Sequence, residues 1–127
     1  MRTDRATCIL LVEDHEDSAA IAARLLRGRG YQVVVAGTIR AALSEAAAQK
    51  IDLALCDIGL PDGQGSDLMR ELRAKYAMPG IALTGFAMDD DRQASDACFS
   101  ARLLKPIDFG ELCRVVEEVL SRGDLGR

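Results

Sequence analysis

The sequence has no tryptophan, only three prolines and one histidine, and aromatic residues make up 4% of it. No apolar run is longer than a few residues, which argues against a transmembrane helix and a signal peptide. Basic residues number 16 against 20 acidic residues, for a net charge of −4. A nucleic-acid-binding domain needs a basic surface, so this balance argues against one. We expect a soluble cytoplasmic domain that makes no contact with a membrane.

The four cysteines lie far apart, at positions 8, 56, 98 and 113, and no two of them form a CxxC pair. Zinc sites and redox motifs place cysteines at such short spacing, so neither is indicated here. Two of the cysteines lie in short apolar runs, where a thiol packs as a small hydrophobic group. We expect all four to be free thiols in a reducing compartment.

The chain has 127 residues, of which 49% are hydrophobic and 28% charged, as is typical of one globular domain. We expect a single domain over 1–127 with a core of about 7–121. Short apolar runs predict strands at 8–12, 31–36, 53–56, 80–83 and 101–104. Helical spacing of apolar residues predicts helices that begin near Ser18, Thr38, Ser66, Asp89 and Asp108. Five strands alternating with five helices predict an α/β fold, a parallel sheet with helices on both faces.

Polar side chains follow four of the five predicted strands. Glu13 and Asp14 follow the first strand, Asp57 the third, Thr84 the fourth and Lys105 the fifth. Ligands of open α/β sheets bind beyond the carboxyl ends of the strands, near the point where the strand order reverses. We therefore expect three carboxylates, a hydroxyl and an ammonium group to converge on one crevice.

These groups together indicate phosphoryl chemistry at a metal site. Three neighbouring carboxylates raise one another's pKa unless a cation is bound, and Mg²⁺ (or Mn²⁺) is the cation that suits carboxylate oxygens. Asp57 can act as a nucleophile that becomes an acyl phosphate. Lys105 offers a compact positive charge, and Thr84 a hydroxyl donor, for the phosphoryl oxygens.

Four short sequence motifs resemble those of a known family: LLVED (10–14), LALCDIGLPDGQG (53–65), ALTG (82–85) and LLKPID (103–108). They resemble the receiver domain of two-component response regulators, in the family's order and over nearly the whole chain. The resemblance implies a flavodoxin-like, doubly wound (βα)5 fold with strand order 2-1-3-4-5. It also implies a phosphoacceptor in signal transduction rather than an enzyme with a separate substrate. The phosphoryl donor would be a histidine kinase or a histidine phosphotransfer domain, and the acceptor Asp57.

The same resemblance implies a set of metal ligands. Asp14 and Asp57 would bind Mg²⁺ directly, Glu13 would act mainly through a water molecule, and the backbone carbonyl of Gly59 would complete the protein ligands. Since Mg²⁺ favours oxygen ligands, we assign His15, the sole histidine, to the rim of the site.

The resemblance also implies roles around the phosphoryl group. Thr84 would move toward it, and Lys105 would pair with it. The peptide bond between Lys105 and Pro106 would be cis, an isomer that X–Pro bonds adopt readily. Arg102 stands where many family members carry an aromatic switch residue, three residues before the lysine of LLKPID. The usual coupling of a buried aromatic ring to the hydroxyl of Thr84 therefore does not transfer to this chain.

Two surfaces are candidate partner sites. Phosphorylation is expected to repack the face formed by the fourth predicted helix, the fifth strand and the fifth helix, where Arg92 and Arg102 are candidate contacts. A homodimer through this face stays open. Ala19, Ala20 and Ala23 are predicted to form a small apolar outer face of the first helix, against which the phosphodonor's four-helix bundle would dock.

Three other functions fit the sequence less well. A receiver-like interaction module not regulated by phosphorylation normally lacks one of the site residues, and none is missing. A phosphatase of the haloacid dehalogenase type needs a second aspartate where Gly59 stands. A flavodoxin must hold a phosphate after the first strand, where the acidic run 13–17 would repel it. The domain is either a stand-alone regulator or part of a hybrid histidine kinase. The segments DIGLPDGQG and LLKPID resemble those of receivers in hybrid kinases, which favours the second alternative.

Overall fold

The computed structural model describes residues 6–85 and 98–125, with side chains up to residue 122. Its strands are β1 (Cys8–Val12), β2 (Gln32–Ala36), β3 (Leu53–Asp57), β4 (Gly59–Leu60), β5 (Gly63–Gln64), β6 (Gly80–Thr84) and β7 (Ala101–Leu104). Its helices are α1 (Glu16–Gly28), α2 (Ile39–Ala48), α3 (Gly65–Tyr76) and α4 (Phe109–Leu125). The helix predicted over 89–97, and Arg92 with it, lies outside the described residues.

Five of the strands form one parallel sheet in the order β2-β1-β3-β6-β7. This is the predicted order 2-1-3-4-5, because the two-residue strands β4 and β5 pair separately with each other. β1 pairs with β2 on one side and with β3 on the other. The order in which the chain adds strands to the sheet therefore reverses between β1 and β3. The predicted doubly wound fold is confirmed, and its switch point lies at the ends of β1 and β3.

The sheet separates two apolar cores. Side chains alternate along a strand, so Ile9 and Leu11 face one core while Leu10 and Val12 face the other. The first core is closed by α1 and α4, and the second by α2 and α3. All five residues of β1, β3 and β6 are buried, as expected of strands covered on both faces.

Two predicted helix starts are confirmed by their capping hydrogen bonds. The Oγ1 atom of Thr38 accepts a hydrogen bond of 3.0 Å from the backbone amide of Ala41. The Oδ1 atom of Asp108 accepts one of 3.1 Å from the amide of Glu111. α1 begins at Glu16, two residues before the predicted Ser18, and its first turn is acidic, as the helix dipole favours.

A short hairpin between β3 and α3 was not predicted. β4 and β5 are antiparallel and are joined by the two-residue turn 61–62. Gly63 has φ of 153°, which L-residues rarely adopt, and a Cβ atom there would lie 2.8 Å from Cδ1 of Ile39. The hairpin therefore packs closely against the start of α2, and its two-residue strands are too short to show an alternating pattern in the sequence.

The predicted outer face of the first helix is wrong in two of its three residues. Ala19 and Ala23 are buried at 3% and 1% exposure, against the sheet, and only Ala20 is exposed. A methyl side chain lets the helix approach the strands closely at these two positions, and Leu26 is the larger residue of α1 that is buried with them. Ile21, by contrast, is 52% exposed. The apolar outer surface of α1 is therefore built from Ile21 and Leu25.

The four cysteines all lie within the described residues, where they are buried and form no disulfide bond with one another. Over 6–85 and 98–125, no helix is both long enough and apolar enough to cross a membrane.

Candidate functional site

The strand ends place the predicted site residues at one edge of the sheet. Asp57 and Thr84 are the last residues of β3 and β6. Glu13 and Lys105 follow β1 and β7 directly, and backbone hydrogen bonds extend the sheet to both. The amide of Glu13 donates to the carbonyl of Ala36 at 3.0 Å, and that of Lys105 to the carbonyl of Thr84 at 2.7 Å. The backbone at the site is therefore as well fixed as the sheet itself.

Buried polar side chains concentrate at this edge. Among the described residues, four polar or charged side chains are buried, namely Glu13, Asp57, Ser66 and Thr84. Three of these four belong to the predicted site. Burying a charged group is unfavourable unless it is paired, so a cluster of this kind indicates a site of function.

The ammonium group of Lys105 lies between two of the carboxylates. Its Nζ atom is 3.0 Å from Oδ2 of Asp57 and 3.4 Å from Oε1 of Glu13. Burial lowers the pKa of the Lys105 ammonium, but its hydrogen bond and charge interaction with Asp57 outweigh this, so the net shift is upward. Lys105 therefore stays protonated and holds a positive charge beside the candidate nucleophile.

The two buried carboxylates have opposite pKa shifts. Burial raises the pKa of Asp57, and the neighbouring charge of Glu13 adds to this, although Lys105 opposes it. Burial also acts to raise the pKa of Glu13, but hydrogen bonds from His15 and the charge of Lys105 bring it below its usual value. Glu13 is therefore the carboxylate that stays ionised, and Asp57 is the one that takes up a proton first.

His15 is exposed at the rim of the site and contacts the buried Glu13 from there. Its backbone amide and its ring Nδ1 lie 3.0 and 2.9 Å from Oε2 of Glu13, and Nδ1 is 3.5 Å from Oδ1 of Asp14. The hydrogen bond to Glu13 and the nearby charges raise the pKa of the His15 ring. Its two-residue separation from Glu13 was the available sequence signal for this contact.

The donor set fits a hard divalent cation. Glu13, Asp14, His15 and Asp57 each offer a ligand atom, and these atoms lie within 4.8 Å of one another. The carboxylate oxygens suit Mg²⁺, whereas the nitrogen of His15 is better placed to bond with Glu13 than to serve such an ion. A divalent cation would also offset the repulsion among the three acids.

Four further predicted residues lie on or next to the strands that build the site. The peptide bond between Lys105 and Pro106 is cis, as expected. The Oγ1 atom of Thr84 donates a hydrogen bond of 3.0 Å to the carbonyl of Gly85. Gly59 begins the hairpin two residues after Asp57, and a Cβ atom there would meet nothing within 4 Å. Arg102 lies in β7 and is exposed.

The comparisons with known proteins agree with this geometry. A family model described as "Response regulator receiver domain" matches residues 9–117. The KDP operon transcriptional regulatory protein KdpE of Escherichia coli is 39% identical over 117 residues, which are 91% of this chain and 52% of that protein. The chain therefore spans about half the length of this relative. An uncharacterized 14.6 kDa protein of Leptolyngbya boryana is 34% identical, with 93% of both chains covered.

The structural comparison gives the same result. The crystal structure of a CheY-like receiver domain protein from Methanospirillum hungatei superposes with a TM-score of 0.89 at 26% identity, covering 97% of this chain and all of that one. A receiver domain from Methylobacillus flagellatus gives a TM-score of 0.80 at 28% identity, with 91% of this chain and 99% of that one covered. Because the matched region contains every strand end that builds the acidic site, the chain belongs to the response regulator receiver domain family.

Proposed function

We propose that this domain is a phosphoacceptor whose reactive group is the carboxylate of Asp57. One observation carries the proposal, namely the contact of Lys105 with Asp57 at 3.0 Å inside a cluster of acidic oxygens. A half-buried lysine beside a buried aspartate at the end of a central strand fits a group that receives a phosphoryl moiety, because the transferred charge needs a fixed cation nearby.

In the proposed reaction the phosphoryl group moves from a phosphohistidine of the donor to Asp57. The phosphorus–nitrogen bond breaks, an Oδ atom of Asp57 forms the new phosphorus–oxygen bond, and the leaving imidazole takes up a proton from solvent. Lys105 pairs with a phosphoryl oxygen. The hydroxyl of Thr84 leaves the carbonyl of Gly85 and donates to another phosphoryl oxygen.

The metal proposal uses the cluster at the switch point. Asp14 and Asp57 would hold Mg²⁺ directly, Glu13 through a water molecule, and Gly59 through its backbone carbonyl. When bound, Mg²⁺ offsets the negative charge of the phosphoryl oxygens. Glu13 already accepts hydrogen bonds from His15 and Lys105, which suits an acid that acts through water rather than by direct contact.

The proposed partner is a histidine kinase or a histidine phosphotransfer domain, and the proposed location is the cytoplasm. The donor must reach Asp57 over the rim between α1 and the start of α4. Ile21 (52% exposed), Pro106 and Phe109 (36% exposed) line a cavity of about 280 Å³ there, which also reaches Lys105. We call these three residues the α1–α4 patch. It replaces the alanine face as the proposed docking surface, whereas Ala20 lines a separate groove beside Val35 and Gly37.

The proposed output is a change of packing at the far edge of the sheet, where β7 and α4 lie. Arg102 on β7 is a candidate contact for the output partner, or for a second copy of the chain in a dimer. The domain would serve either as a stand-alone regulator or within a hybrid histidine kinase.

Intact-mass analysis after treatment with acetyl phosphate tests the proposal. The wild-type protein is expected to gain the mass of one phosphoryl group in the presence of Mg²⁺ and none with a chelator. Asp57→Asn should show no gain. Asp67→Asn is the matched control, because Asp67 is an exposed acid on α3 paired with Arg70, and it should gain mass as the wild type does. A metal-independent gain, or one retained by Asp57→Asn, would reject Asp57 as the acceptor. A protein that gains nothing would instead be a module not regulated by phosphorylation.

A further inference from the structure

One carboxylate ties the turn of the β4–β5 hairpin to helix α2. Oδ1 of Asp62 accepts a hydrogen bond of 2.9 Å from the amide of Ile39, and Oδ2 accepts one of 3.1 Å from the amide of Arg40. These amides lie in the first turn of α2, where backbone N–H groups have no partner within the helix. The first turn of α2 contains no acidic residue, so Asp62 supplies the negative charge that a helix N-terminus favours.

α2 has a capping residue of its own. Thr38 is its N-cap, with Oγ1 3.0 Å from the amide of Ala41. What Asp62 adds is a link to another part of the chain, 22 and 23 residues away in sequence. The same contact region contains Gly63, at which any Cβ atom would press on Cδ1 of Ile39. The turn is therefore held against α2 by two hydrogen bonds and by close packing.

The hairpin in turn carries Gly59. Gly59 is exposed and has no side chain with which to anchor itself, so its neighbours set its position. Ile58 and Leu60 are buried at 0% and 9% exposure on either side of it. Gly59 pairs with Gln64 across the hairpin, whose turn is the segment that Asp62 fixes. A turn free to swing would thus change the direction of the Gly59 carbonyl.

We propose that Asp62 is a positioning residue for the metal site, holding the hairpin so that the Gly59 carbonyl faces the cation. The inference rests on the proposed function, in which Gly59 is a metal ligand. Because linkage is reciprocal, a cation bound at the site also tightens the contact of Asp62 with α2. Asp62 is not one of the four residues that offer a ligand atom to the cluster, so it acts through the hairpin.

Isothermal titration calorimetry with Mg²⁺ measures the effect directly. Asp62→Ala is expected to weaken Mg²⁺ binding by about three- to tenfold. This is somewhat less than the loss typical of residues that hydrogen-bond directly to a metal-ligating group. Asp62→Asn, which keeps one acceptor oxygen, should lie between the wild type and Asp62→Ala. Thr38→Ala is the matched control, because it removes a cap from the same helix but leaves the hairpin tied, and its Mg²⁺ affinity should equal that of the wild type.

Amide hydrogen exchange provides a second test. If Asp62 only stabilised the fold, Mg²⁺ would not change the exchange rates of the amides that bond to it. In the wild type, Mg²⁺ should slow exchange at the amides of Ile39 and Arg40, which bond to Asp62. It should leave the amide of Ala41, which bonds to Thr38, unaffected. Asp62→Asn, which keeps its fold more readily than the alanine variant, should show a smaller Mg²⁺ effect at Ile39.

The outcomes separate this inference from the function on which it rests. Equal Mg²⁺ affinity for the wild type, Asp62→Asn and Asp62→Ala would overturn the role of Asp62 while leaving the phosphoacceptor intact. Equal losses in Asp62→Ala and Thr38→Ala would overturn it too, because the effect would then come from α2. A wild-type protein with no Mg²⁺ binding at all would remove the proposed metal site, and the role of Asp62 with it.

Discussion

Lys105 and Asp57 are 48 residues apart in sequence, yet Nζ of Lys105 lies 3.0 Å from Oδ2 of Asp57. The contact exists because β3 and β7 both end at the same edge of the sheet, with only β6 between them. Asp57 is buried and its pKa is raised by that burial, so the lysine opposes a shift that would otherwise be larger. The contact with Lys105 thus favours the ionised form of Asp57, which is the nucleophilic one.

Replacing Lys105 by alanine should therefore slow phosphorylation of Asp57. We expect the rate with acetyl phosphate and Mg²⁺ to fall at least about tenfold, since a fixed cation at the transferring group is lost. Some phosphorylation should persist, because Asp57 and the acidic cluster remain. The measurement is the rate of mass gain at saturating Mg²⁺.

Lys75→Ala is the control for this loss of charge. Lys75 is also in an ion pair, at 2.7 Å from Glu71, but the pair is exposed on α3. Its removal should leave the rate at the wild-type level. A Lys105→Ala variant as fast as Lys75→Ala would contradict the role given to Lys105.

Asp57→Asn should make the metal-free protein more stable at neutral pH. The pKa of Asp57 is raised in the folded state, so the folded protein binds this proton more tightly than the unfolded chain does. The stabilising contribution is therefore complete at low pH and is lost as the pH rises through the folded pKa. Asparagine cannot ionise, so the variant should be more stable than the wild type at pH 7, and the difference should disappear in acid. Thermal unfolding with a chelator, followed at several pH values, measures it.

Glu13→Gln provides the contrast within the same cluster. The pKa of Glu13 is lowered, because hydrogen bonds from His15 and the charge of Lys105 outweigh its burial. Its ionised form is thus favoured by folding, and its removal should bring no gain at pH 7. If Asp57→Asn lowered the melting temperature and Glu13→Gln raised it, the assignment of the proton to Asp57 would be wrong.

The sheet and the site edge were predictable because both depend on strong local signals. Buried parallel strands show as short apolar runs, and the residue after each run reaches the carboxyl edge whatever the loops do. The positions of Asp57, Thr84 and Lys105 followed from that rule alone. The resemblance of the LLKPID motif to the family then predicted the cis peptide bond at Pro106, which no apolar pattern indicates.

The hairpin and the orientation of α1 were not predictable in the same way. Two-residue strands such as Gly59–Leu60 are too short to show a period. In α1, hydrophobicity alone would place Ile21 inside, yet the sheet lies so close that Ala19 and Ala23 fill that space. Packing distance, which the sequence does not state, decided which apolar residues face inward.

Gly80→Ala tests how tightly the second core is packed. A Cβ atom at position 80 would overlap Sδ of Met69 and lie 2.9 Å from its Cε, and Met69 is fully buried. Overpacking of this kind should lower the free energy of unfolding by about 1–3 kcal/mol. Urea denaturation measures the change. Gly28→Ala, where an added Cβ meets nothing within 4 Å, should stay within about 0.5 kcal/mol of the wild type or be slightly more stable.

A double mutant shows whether Met69 is the cause. Met69→Ala removes the side chain that the new methyl group meets, so Gly80→Ala should cost less in that background than in the wild type. Equal costs in both backgrounds would place the strain elsewhere.

The α1–α4 patch should matter for a protein donor but not for a small one. Ile21 is 52% exposed beside the cavity that reaches Lys105, so a charge at this position should weaken docking of a phosphohistidine-bearing helical bundle without touching the acidic cluster. We expect Ile21→Glu to lower the rate of transfer from such a donor by about tenfold or more, as loss of one central apolar contact does. The rate with acetyl phosphate should be unchanged.

Two further variants define the boundary of this docking surface. Tyr76→Glu places the same charge at a residue that is 42% exposed at the end of α3, on the other face of the sheet, and should transfer normally from both donors. Ala20→Arg adds bulk in the separate groove beside Val35, outside the patch, and should slow transfer from the protein donor less than Ile21→Glu does. If Ile21→Glu and Tyr76→Glu behaved alike with the protein donor, docking would have to occur on another surface, and the cavity beside Lys105 would have no part in recognition.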